Sequence, residues 1–312
     1  MTGMRSHVRR PVSLDGVLDR LELEAASRRD GLVSHAAMVE ALSLEGLVED
    51  QSASGADGYL DARGCAEEEF GSALLHRAVK RSDACGGRYP FDVAADTLEY
   101  RTASRDRVYL ALLAMTLMRG STAKWTEQGT KLFEHICASA AGRYLGNRRD
   151  EGGAYVFGTG AGSKPLGQRI IELADAMGEI GGPQPPALSA RKKDAKLDVV
   201  AWRNFPDARP GKLTLFGQCA TGSHWRDKRT EFLVDSWLAL WVTDRPLVEP
   251  IRCFFVPRCV DDDEWRETCA EGGLVFDRAR IAHFARPDGA TATEVSKWTR
   301  EAISRLARGG AS

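Results

Sequence analysis

The residues best suited to chemistry cluster between Lys196 and Lys228, in KLDVVAWRNFPDARPGKLTLFGQCATGSHWRDK. LDVVAW and KLTLFGQCA are β-branched and apolar enough to be central strands, and NFPDARPG between them has the Pro, Asp and Gly of a loop. Asp198 stands at the start of one strand and Gln218 near the end of its neighbour. A carboxylate entering an apolar strand is costly to bury unless it is paired or holds a metal, so the pattern points to cation-dependent chemistry.

The flanking sequence supplies elements to position these groups. STAKWTEQGTKLFEHICASAAGRYLG, from Ser121, repeats apolar residues at Leu132, Phe133, Ile136, Cys137, Ala140 and Tyr144, which predicts a long amphipathic helix stopped at Gly146. AYVFG (154–158) reads as a strand, followed by a Gly-rich turn, the helix SKPLGQRIIELADAMGEI and the loop PQPPALSARKK. Beyond Trp225 the pattern predicts a helix to about Val242, strand 251–258, helix DDDEWRETCAEG, strand LVFDRARIA and a last helix over 293–307. The expected fold is α/β, a mixed central sheet flanked by helices, with a mostly helical N-terminal region.

Glu134 on the first of these helices, Asp198 on the second strand and Gln218 on the third, followed by a helix, resembles the restriction-endonuclease-like nuclease superfamily and its PD-(D/E)XK motif. The resemblance covers residues 121 to about 258. It implies a divalent cation, Mg²⁺ or Mn²⁺, held by Asp198, Gln218, the backbone carbonyl of Cys219 and Glu134. Phosphodiester hydrolysis needs such a hard cation on oxygen ligands, neutralised phosphate charge and a placed nucleophile. Gln218-Cys219-Ala220 departs from the family triplet twice: an amide replaces the acid, and Ala220 stands where Lys belongs. Lys228 is the replacement candidate, with Lys196, two residues before Asp198 on the same strand face, second. The wording of the segment is also similar to nuclease-like proteins of bacterial phage-defence systems. The implied function is a DNA endonuclease in antiviral defence; the alternative is a non-cleaving nucleic-acid-binding or scaffold protein on a decayed nuclease fold.

Arg191 to Lys193, Lys196, Arg203, Arg226, Lys228 and Arg229 cluster near these residues, and Lys193, Lys196, Arg226 and Arg229 are the expected phosphate contacts. Other motifs fail on inspection. FGTGAGSKP (157–165) matches neither GxxxxGK[ST] nor GxGxxG, and Cys219 falls in an apolar strand, away from the electropositive setting of a nucleophilic thiol. The acids of DDDEWRE suit the positive end of a helix.

Residues 1–118 read as a mostly helical region suited to docking a partner protein, and 119–312 as the nuclease-like domain. Within the first, 13–50 predicts two short helices with Ser34 as an N-cap, 51–64 a polar connector and 65–81 a helix. YPFDV and TLEYR predict a small hairpin, and Asp106 to Met118 another helix. A net charge of −1 argues against non-specific coating of nucleic acid through bulk charge, though not against a local basic groove. Seven scattered cysteines with no CxxC pair fit neither a disulfide framework nor a zinc site, so a reducing cytoplasm is expected. The apolar run from Val108 to Met118 is too short to span a bilayer. The expected partners are nucleic acid, DNA ahead of RNA, a defence-system protein and a second copy of the chain.

Overall fold

The computed structural model describes residues 14–34, 36–38, 56–94, 96–101, 107–118, 124–146, 151–158, 164–189 and 196–309. The chain forms two compact units, Met1–Asp83 with Phe91–Thr102, and Ala84–Pro90 with Ala103–Ser312. The division falls near residue 103 instead of the expected 118. Helix Arg107–Leu117 accounts for the shift: Ala111, Leu112, Ala114 and Met115 are buried in one core with Phe133, Ile136 and Trp298.

The first unit is mostly helical. It holds α1 (Leu14–Ser27), β1 (Leu32–Ser34), α2 (Ala56–Ala84), β2 (Phe91–Val93) and β3 (Thr97–Tyr100), the strands in the antiparallel order β1-β3-β2. The predicted hairpin is β2–β3, with Phe91 opposite Tyr100. Residues 56–64 are helical, not the expected connector, because α2 begins at Ala56. Ser34 Oγ accepts from Ala37 N at 3.3 Å as a cap would, while the rest of the expected helix there lies outside the described residues. Arg81, 4% exposed, holds α2 to α1 through Asp15 (2.6 Å), Asp19 (2.9 Å) and Glu22 (2.7 Å). Each of those buried acids thereby meets a countercharge.

The second unit carries α3 (Arg107–Leu117), α4 (Lys124–Tyr144), β4 (Gly152–Val156), α5 (Leu166–Met177), α6 (Pro185–Ser189), β5 (Val199–Arg203) and β6 (Leu213–Cys219). After a 3₁₀ turn, Asp227–Thr230, come α7 (Val234–Trp241), β7 (Ile251–Phe255), α8 (Asp262–Gly272), β8 (Leu274–Phe276), α9 (Arg278–Phe284) and α10 (Gly289–Gly309). The sheet runs β4-β5-β6-β7-β8, antiparallel from β4 to β6 and parallel from β6 to β8. Both faces are covered, which is why its central strands read as near-continuous apolar runs. Val199, Ala201 and Leu215 pack toward α4 and α10, whereas the alternate residues Val200, Trp202 and Phe216 pack toward Ile170 and Leu173 of α5 and Trp237 of α7.

Two predicted elements differ. The helix expected after Trp225 is split into the 3₁₀ turn and α7. The expected strand LVFDRARIA stops at Phe276, because Asp277 caps α9 by accepting from Arg280 N at 3.0 Å. Among the described residues no helix is long and apolar enough to cross a membrane.

Candidate functional site

Asp198 sits immediately before β5, fixed by main-chain bonds on both sides. Its carbonyl accepts from Phe157 N (2.7 Å) and Gly158 N (3.0 Å), and its own N–H donates to Gly217 O (2.9 Å). Its carboxylate is oriented too, with Oδ2 accepting from Cys219 N at 2.7 Å. The side chain is therefore aimed by the ends of three adjacent strands. This is possible because β4 and β6 both flank β5.

Glu134 reaches the same place from α4. The position that a Cβ would take on Gly158 lies 2.6 Å from Asp198 Oδ1 and 2.6 Å from Glu134 Oε2. The two oxygens are thus no farther apart than the sum of those distances, which brings both carboxylates to one place. Both residues are buried, at 9% and 3% exposure. Only glycine leaves room for the two carboxylates to close over the end of β4.

Gln218 lies one step beyond the paired Val199 and Gly217, beside Asp198 at the strand ends. It is 4% exposed, and its carbonyl oxygen Oε1 has no hydrogen-bond partner among the described residues. A buried acceptor left without a donor is expensive, and a bound cation would offset that cost. The two carboxylates supply hard oxygen donors of the kind magnesium or manganese prefers, and the strand register sets the Gln218 backbone next to Asp198. Among the described residues no cluster of three or more His, Cys, Asp or Glu side chains could hold a metal, so any such site depends on the Gln218 amide and backbone oxygens.

Cys219 meets Asp198 through its N–H. Its thiol lies against the buried Cys137 thiol of α4. Burial pushes the Cys219 thiol well above its ordinary range, and Cys137 and the negative fields of Asp198 and Glu134 add to the shift. Burial raises the Cys137 thiol as well, against a lowering contribution from Cys219 and with raising ones from Glu134 and Asp198. Thiols held protonated in this way are poor nucleophiles, so the Cys219 environment favours carboxylate over thiol chemistry.

The expected cations fall elsewhere. Lys228 is half-buried in the 3₁₀ turn and forms no ion pair among the described residues, so neither carboxylate holds its ammonium. Lys196 precedes β5 in a left-handed turn (φ 72°), not on the strand, and its ammonium pairs with Glu231 at 3.3 Å. Arg226 is paired with Glu264 (2.6 Å) and lies over the Trp225 ring, while the buried Arg229 is paired with Glu271 (2.9 Å) and Glu267 (3.4 Å). These two arginines tie the turn to α8, so their charge is met inside the protein. Lys193 lies outside the described residues.

Sequence reasoning missed Gly158 and Arg169. Arg169 is fully buried and donates to Phe157 O at 2.7 Å and Gly158 O at 2.9 Å, clamping the segment that holds Asp198. The signal was an arginine inside the apolar stripe Leu166, Ile170, Leu173 and Met177 of α5. A charge in such a stripe must satisfy buried acceptors. No family model, curated protein or solved structure matches this chain.

Proposed function

We propose that the second unit is a magnesium- or manganese-dependent phosphodiesterase, with DNA as the preferred substrate over RNA. The observation that carries the reading is the meeting of Glu134 Oε2 and Asp198 Oδ1 over Gly158. These oxygens would hold the cation. A divalent ion bound there supplies Lewis acidity toward a phosphoryl oxygen and lowers the pKa of water. The chain's own groups do the positioning. The Cys219 N–H keeps the Asp198 carboxylate turned toward Glu134, and Arg169 fixes the Phe157–Gly158 segment beneath both. Lys228 would serve only from a distance, by offsetting charge on a bound phosphate, since its ammonium is held by neither carboxylate. Bacterial phage defence is the expected setting, on the motif resemblance alone.

The second reading, a nucleic-acid binder that does not cleave, is favoured by one observation: Ala220 occupies the position of the triplet lysine. Incubating purified protein with supercoiled plasmid and with single-stranded DNA, in Mg²⁺ and in EDTA, separates the two. Cleavage that requires Mg²⁺ is the expected result. Intact substrate under every condition, with nucleic acid still bound, favours the second reading.

A further inference from the structure

The outer face of α10 carries Lys297, Arg300, Arg305 and Arg308 around an open groove of about 500 Å³, completed by Glu301 and Ser304. All six side chains are exposed, while Val295, Trp298, Thr299 and Ala302 on the opposite side of the helix are buried. None of the four cations makes an ion pair among the described residues. Among the described residues Glu301 is the acid lining the groove and the exposed Glu294 precedes it on the same face, so four cations stand against two carboxylates. Arg226 and Arg229 differ sharply, since α8 supplies a carboxylate for each. Arg305 also lies over the Trp125 ring at 6.0 Å, and the Trp298 Nε1 donates to Trp125 O at 2.7 Å, which fixes α10 against α4.

We propose that this face of α10 is an anchor for the phosphate backbone of nucleic acid, distinct from the Glu134–Asp198 pair. Lys297 to Arg308 spans about 16 Å at 1.5 Å per residue. Over that length a duplex presents on the order of ten phosphate charges, at one per about 1.7 Å. With a net charge of −1 the chain offers no bulk positive field, so binding to a polyanion must come from a local patch such as this one. Trp125 and Glu134 are nine residues apart on α4, about two and a half turns, so the anchor flanks the side of α4 turned away from Glu134. It would hold substrate without touching the reacting bond. Nucleic acid is preferred to other polyanions because of the phosphodiesterase reading, on which this choice rests.

The test is fluorescence anisotropy with a labelled DNA duplex in EDTA, where binding is read without cleavage. It compares the wild type with a variant carrying Lys297→Gln, Arg300→Gln, Arg305→Gln and Arg308→Gln. Glutamine keeps helix propensity on an exposed face, and circular dichroism checks the fold. The variant is expected to lose on the order of 10- to 100-fold in affinity, with a salt dependence shallower by about three contacts. Equal affinity and equal salt slope in the two proteins would overturn the anchor, as would a wild type that binds polyglutamate but no duplex. If the wild type binds through this face yet never cleaves in Mg²⁺, the anchor stands and the phosphodiesterase reading falls. If it cleaves while the variant binds normally, the reverse holds.

Discussion

Asp198→Asn is expected to abolish Mg²⁺-dependent cleavage, lowering the single-turnover rate by about 10³-fold or more, with little change in thermal stability. The rate argument is electrostatic. Lewis-acid stabilisation is worth several kcal/mol, and each ~1.4 kcal/mol is a factor of ten. Asparagine keeps an oxygen able to accept from Cys219 N, so the strand ends stay joined, but it removes half of the paired negative charge over Gly158. It also relieves repulsion between two buried acids, which keeps the variant from being a stability mutant in disguise. Rates measured on supercoiled plasmid alongside the melting temperature check both halves. A variant that cleaves at the wild-type rate would remove Asp198 from the mechanism.

Gly158→Ala has the second large effect. Its methyl group would fall 2.6 Å from Asp198 Oδ1 and Glu134 Oε2 and 2.8 Å from Glu134 Cδ, distances that real Cβ atoms do not show. One of the two carboxylates must yield, and Asp198 can do so only by giving up its bond from Cys219 N. Displacing a ligand by about 1 Å is enough to cost roughly 10²-fold in rate. The overpacking itself costs on the order of 1–3 kcal/mol. Gly222→Ala is the control, since a Cβ there meets nothing within 4 Å. Cleavage by the Gly158 variant equal to that of the control would show that the two carboxylates do not act together.

Much of this arrangement was legible in the sequence because it is periodic. The strands around Asp198 and Gln218 announce themselves by β-branched runs, and the Glu134 helix by its apolar stripe. What was not legible is non-local. The basic cluster near residue 226 looked like a phosphate groove because its partners, Glu264, Glu267 and Glu271, stand some forty residues later on α8. Gly158 looked like the start of a failed nucleotide loop, and its use, admitting two carboxylates from different elements, exists only in three dimensions. The end of β8 was a local error: Asp277 three residues before Arg280 is an N-cap signal that outweighs the apolar run before it. The boundary was expected at 118 and falls near 103 because α3 is almost uniformly apolar, so its sequence does not name the core it joins.

The most direct measurement is anomalous diffraction from crystals soaked in Mn²⁺. The account predicts one peak between Glu134 Oε2 and Asp198 Oδ1, about 2.0–2.2 Å from each, that disappears in Asp198→Asn. A soaked crystal with no density there, or with manganese bound only at other residues, would contradict it.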